Sequence, residues 1–110
     1  MSMVLKLLAA NHTSTATTTL YTVPGTSLGA IVNNVRLVNT NTSTNSATVN
    51  VYLTSGGTDY LISEKDKVIA IKELFLIKPE VTLAPNDAIK VVASGTSLNL
   101  DYVISGTEQY

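Results

Sequence analysis

Four stretches of this chain alternate apolar and polar residues with a period of two, and no other feature constrains the fold as strongly. Successive side chains of an extended strand point to opposite faces, so period two produces one dry face and one wet face. In the stretch Ala30 to Asn39, Ile31, Val35 and Leu37 share a face, with Asn34 and Arg36 on the other. Val49, Val51 and Leu53 alternate with Thr48, Asn50 and Thr54. Ile89, Val91 and Ala93 alternate with Lys90 and Ser94, and Leu98, Leu100, Tyr102 and Ile104 with Asn99, Asp101 and Ser105. The residue types agree with the pattern. Val, Ile and Thr account for 35 of the 110 residues, and branching at Cβ favours strands over helices. Half-buried antiparallel sheet is what such segments need.

Turn residues fall between the strands. Pro24-Gly25 is expected to form a type II turn, with Pro fixing φ and Gly taking the positive φ. Asn39 to Ser46 is a polar loop joining two strands, and Ser55-Gly-Gly-Thr58 is expected to close a hairpin between Val49–Leu53 and Tyr60–Ser63. Ala84-Pro-Asn-Asp87 and Ser94-Gly-Thr-Ser97 mark two further connections. Residues 64 to 78 contain helix formers and admit one amphipathic helix. Their apolar residues come as two blocks, Val68–Ile71 and Leu74–Ile77, which favours two short strands joined near Lys72-Glu73. The expected architecture is all-β: a single antiparallel β-sandwich, jelly-roll or Ig-like, of about seven to nine short strands. Residues 1–16 are expected to form an extended N-terminal arm, with the sandwich domain over residues 17–110 and a low-complexity polar run, 11–19, across the boundary.

Composition narrows the function. A formal net charge of −1 and a charged fraction of 14% provide no electrostatic footprint for nucleic acid or an anionic membrane surface. No apolar run approaches the ~18 residues of a membrane helix. The segment Met3 to Ala10 mimics a signal peptide, but a basic start is missing and Lys6 interrupts a short apolar core, so it is expected to belong to the mature protein. Without a secretion signal, the sequons at Asn11 and Asn41 are expected to be chance in a chain with 16 Thr, 10 Ser and 9 Asn.

Reactive groups are scarce. The one histidine, His12, lies in the polar run, which has few ways to order it as a base beside a Ser or Thr nucleophile, and one His with no Cys cannot supply a three-ligand zinc site. The eight carboxylates are Asp59, Glu64, Asp66, Glu73, Glu80, Asp87, Asp101 and Glu108; a small β-domain has little room for a cleft with two of them across a sugar. Glu64-Lys-Asp-Lys67 lacks the spacing and the Gly of a calcium loop, and Gly56-Gly57 opens no phosphate-binding helix. No catalytic, cofactor-binding or metal-binding residue is therefore expected. Weakly charged sheet with exposed strand edges is a liability in a free monomer and is suited to burial in an assembly.

Particular residues extend this reading. Leu20-Tyr-Thr-Val-Pro-Gly-Thr26, Ala30-Ile-Val-Asn-Asn-Val-Arg-Leu-Val-Asn-Thr40 and Ala47-Thr-Val-Asn-Val-Tyr-Leu53 resemble a pattern of small virion proteins of tailed bacteriophages. In that pattern a "LYTVPAG" turn leads to a strand ending "LVNT", a Ser/Thr/Ala-rich loop and an "ATVxVYL" strand. Leu83 to Ser94 is similar to their "LxAGDxIxVxAS" stretch and Tyr102 to Glu108 to their terminal "VxVSGxE" strand. Gly25 follows Pro24 directly where the pattern inserts Ala, and Pro85-Asn86-Asp87 replaces Ala-Gly-Asp. The resemblance spans most of residues 20–108 and implies a structural role in the virion, assembled in the cytoplasm of a host bacterium. It implies a capsid decoration (cement) subunit or a tail, neck, baseplate or fibre part. Partners would be the major capsid protein or tail and neck subunits, with a homo-oligomer, a trimer foremost. On that reading residues 1–16 would add a strand to a neighbouring subunit. The competing reading is host-glycan binding by Asn39–Ser46 with Tyr52 and Tyr60.

Overall fold

Ten strands fill a computed structural model that describes residues 3–41, 45–96 and 98–110, with side chains from Leu7 onward. They are β1 (Met3–Thr13), β2 (Thr17–Thr22), β3 (Gly29–Asn39), β4 (Ala47–Ser55), β5 (Thr58–Leu61), β6 (Lys67–Ile69), β7 (Leu74–Ile77), β8 (Val81–Leu83), β9 (Ala88–Ser94) and β10 (Leu100–Gln109). One sheet runs β1-β10-β3, with β7 and β8 end to end along the far edge of β3. The other runs β2-β9-β4, with β5 and β6 sharing the far edge of β4. All pairs are antiparallel. Counting β5 with β6 and β7 with β8 as one position each leaves eight positions, ordered 1-8-3-6 and 2-7-4-5. That is a long hairpin wound into two sheets, the jelly roll. The strand count exceeds the expected seven to nine because two positions are split.

Asparagines mark the splits. On β3, β8 covers Ala30–Val32 and β7 covers Val35–Val38, and between them the pairing to β10 skips Asn33. This bulge changes which residues face inward. Ala30 and Val32 are buried before it, Val35 and Leu37 after it, and Ile31 faces out, against the expectation that placed it with Val35. On β4, Asn50 sits between the β6 and β5 pairings, and its side chain exchanges two hydrogen bonds with Asp66 at 2.7 and 3.0 Å. The other three alternating stretches face as expected, with Val49, Val51, Ile89, Val91, Leu100 and Ile104 fully buried between the sheets. Burial of such aliphatic side chains contributes roughly 1.5–3 kcal/mol each.

Several turns match their residues. Gly56 and Gly57 both take positive φ, 58° and 81°, as a two-residue type I′ hairpin loop requires. Residues 64–78 form β6 and β7 with a turn at Lys72, as the two apolar blocks indicated. Asn86, at φ 73°, follows Pro85 in a type II turn closed by Asp87 N–H to Ala84 O at 3.1 Å. It stands where the phage pattern carries Gly. The Pro24-Gly25 expectation is corrected. Ser27 N–H donates to Pro24 O at 3.1 Å, so Pro24 opens the turn and Gly25 keeps negative φ.

The N-terminal arm is also corrected. Residues 3–13 are not a free extension but β1, paired along its length with β10 from Met3↔Gln109 to Thr13↔Leu100. The polar run beyond it is ordered by hydroxyls: Thr18 Oγ1 lies 2.7 Å from Thr13 Oγ1 and 2.8 Å from Thr15 Oγ1. Ala93 N–H donates to Ala16 O and ties this crossing to the second sheet. The sandwich therefore includes residues 3–16 of the segment assigned to the arm.

The loop after β3 is anchored rather than displayed. Residues 42–44 of the expected 39–46 loop, and Ser97 of the 94–97 connection, lie outside the described residues. Asn39 is buried, donating to Ile69 O at 3.0 Å and accepting from Asn41 N–H at 3.1 Å. Asn41, also buried, donates to Thr96 O at 2.8 Å. Replacing Asn39 by Ala strands these backbone groups and is expected to cost about 2–3 kcal/mol, read as a lower urea midpoint at unchanged m-value.

Candidate interaction surfaces

The residues of the first sheet that point away from the core form an ordered grid across four strands. Strand register places His12, Asp101, Val38 and Leu74 in one row. The next row is Ala10, Val103, Arg36 and Leu76, and a third holds Leu7, Ser105 and Asn34, with Lys78 just past β7. Apolar side chains make up half of these positions. Leu7 is 58% exposed, Leu74 48%, and Leu76 and Val103 39% each. A shallow groove of about 350 Å³ runs over Arg36, Leu76, Lys78 and Val103. Among the described residues, Arg36, Lys78 and Asp101 make no ion pair. Soluble monomers rarely leave contiguous apolar surface of this kind uncovered.

The second sheet presents a different face. Lys90 bonds the Asp59 carboxylate and sits over the Tyr52 ring at 5.8 Å, while Thr54 donates to Asp59 at 2.7 Å. The bonded ammonium, with help from Thr54, holds the Asp59 carboxyl below its ordinary range. Tyr52 pairs with Leu61 and Leu53 with Tyr60, so the two tyrosines point to opposite sides of the sheet. Tyr52 also lies five residues along β4 from the end that meets the 39–46 loop, roughly 17 Å. Tyr52 and Tyr60, two of the three parts of the expected sugar-binding surface, therefore do not share a face, and the third, Asn39–Ser46, includes residues 42–44 outside those described.

The reactive groups are dispersed. His12 is exposed on β1 opposite Asp101. Asp66 brackets Asn50, and Asp87 accepts the Ala84 N–H at 2.9 Å. Among the described residues no three His, Cys, Asp or Glu side chains gather into a metal-binding group.

Sequence reasoning missed the role of Glu108. It is 2% exposed inside the sandwich and accepts hydrogen bonds from Tyr21 Oη at 2.5 Å and Tyr110 Oη at 2.8 Å. The signal available was parity, since Glu108 continues the inward series Tyr102, Ile104, Gly106. The Tyr21 bond joins the two sheets. Burial, then the bond to Glu108 and its charge, push the Tyr21 phenol well above its ordinary value. A raised folded-state pKa supplies stability that is complete below about pH 10, where the unfolded tyrosine is neutral, and is lost as pH rises beyond it. Unfolding free energy is expected to fall by up to ~1.4 kcal/mol per pH unit above pH ~10 through this group. Tyr21→Phe removes that slope and costs about 1–3 kcal/mol at neutral pH. Urea titrations from neutral to alkaline pH measure both.

No protein-family model matches the chain, and no curated protein matches it. Among solved structures it is similar to one of infectious bursal disease virus, Gt strain: 12% identity, TM-score 0.43, covering 97% of this chain and 32% of that one. It is also similar to a structure of the CBM22-1–GH10 modules of Clostridium thermocellum endo-1,4-beta-D-xylanase 10B complexed with xylohexaose. There the identity is 14% and the TM-score 0.37, over 98% of this chain and 21% of that one. The chain thus spans about a third and a fifth of their lengths.

Proposed function

We propose that this chain is a non-enzymatic structural protein of a tailed bacteriophage virion, a capsid decoration subunit that packs on other virion proteins and stabilises the particle. The observation that carries the reading is the outward face of the first sheet, where Leu7, Val103, Leu74 and Leu76 stand exposed beside Arg36 and Lys78, which make no ion pair among the described residues. Such a surface is stabilised by being covered. The strand and turn residues resembling phage virion proteins point the same way. A jelly roll serves capsids and lectins alike, so the surface rather than the fold favours assembly.

The test is a whole-particle reconstruction with copy number by densitometry. The expected result is many copies on the capsid exterior with the first sheet's face buried. Leu76→Glu, at an exposed position, is expected to leave the fold intact and empty those sites. A few copies at the neck, baseplate or fibre would replace decoration by the tail reading. Binding on a glycan array would favour host adhesion.

A further inference from the structure

We infer that the partner covering the first sheet's outer face is a second copy of this chain, related by a two-fold axis in the plane of that face. The inference rests on the assembly reading above and names its partner. An isologous contact requires a self-complementary patch, and the grid has one. Leu74 and Val38 in one row and Val103 and Ala10 in the next form an apolar stripe running obliquely across β7, β3, β10 and β1. Asp101 lies on one side of the stripe and Arg36 on the other, one strand and one row apart. Neither is ion-paired among the described residues.

A two-fold along the stripe lays Val38 and Val103 against their own counterparts. It also exchanges the flanks, so each Arg36 meets an Asp101 of the other copy, twice over. The available area agrees. Strands β1, β10 and β3, about 4.8 Å apart and about 34 Å long, with the four-residue β7 beside them, present on the order of 550 Å² per partner, roughly 1,100 Å² in all, which clears the ~1,000 Å² that a specific interface needs.

Sedimentation velocity on the full chain tests this. Wild type is expected at twice 11.7 kDa. Arg36→Asp or Asp101→Arg alone sets like charges together at two places and is expected to weaken association at least ~10-fold. The double variant Arg36→Asp/Asp101→Arg restores the pairing and is expected to recover the dimer. All three keep the native far-UV spectrum, since both positions are exposed. A monomeric or trimeric wild type, single reversals without effect, or a double variant that stays dissociated would each overturn the two-fold pairing. If wild type is monomeric yet occupies particles, a capsid subunit covers the face; the pairing then fails while the virion reading stands.

Discussion

A chain lacking residues 2–16 is expected to lose cooperative unfolding altogether. The deletion removes β1, and with it ten residue pairings to β10 from Met3↔Gln109 to Thr13↔Leu100. It also removes the Thr13–Thr15–Thr18 hydroxyl cluster and the Ala16 carbonyl that holds Ala93. One edge of β10 loses its backbone partners. Leu8 and Ala9 no longer pack on the core beside Ile104. Small domains hold about 5–15 kcal/mol in total, and losing a whole strand with its packed side chains exceeds that margin. Thermal melts by circular dichroism should show no sigmoidal transition, and limited proteolysis should digest the whole chain. A truncated protein that melted like the parent would return the segment to the role of a detachable arm.

Gly106→Ala is expected to cost about 3 kcal/mol or more, among the largest effects of any single methyl group here. At the bulge, β10 runs so close to β3 that a Cβ on Gly106 would sit 2.0 Å from the Ile31 carbonyl oxygen and 3.1 Å from Leu8 Cδ1. Backbone cannot yield as a side-chain tip does, so the β3–β10 pairing must open. Gly57→Ala is the control. Its φ of 81° makes Ala unfavourable by about 1–2 kcal/mol, but nothing lies within 4 Å of the added methyl. Urea unfolding of both variants compares them. Near-equal losses would mean that close approach at the bulge does not constrain the strand pair.

The two variants also show which parts of the fold local pattern reveals. Alternation located β4, β9 and β10 with the right inward faces, and Gly56-Gly57 and Pro85-Asn86 located their turns, because those signals act within a few residues. Ile31 was assigned to the wrong face because a bulge reverses parity and depends on the partner strand. Pro24-Gly25 took another turn where the chain is tied to a distant segment, with Val23 N–H donating to Asp87 O at 2.9 Å and Asn86 N–H to Val23 O at 3.0 Å. The N-terminal segment looked detached because β1 pairs with a strand 87 to 106 positions away, from Thr13↔Leu100 to Met3↔Gln109. The buried roles of Asn39 and Glu108 were invisible for the same reason, since a polar residue is buried only where distant donors or acceptors await it.

By itself the sequence determined that the chain is β throughout, where most turns fall, and that chemistry-bearing side chains are few. Those properties follow from side-chain branching, backbone preference and composition, which every residue carries wherever it lies. Only the tertiary structure decided which strands neighbour one another, how the hairpin winds into a jelly roll, and which apolar residues remain outside. Sheet pairing joins residues far apart in the chain, and exposure is settled only after every competing surface has found its cover.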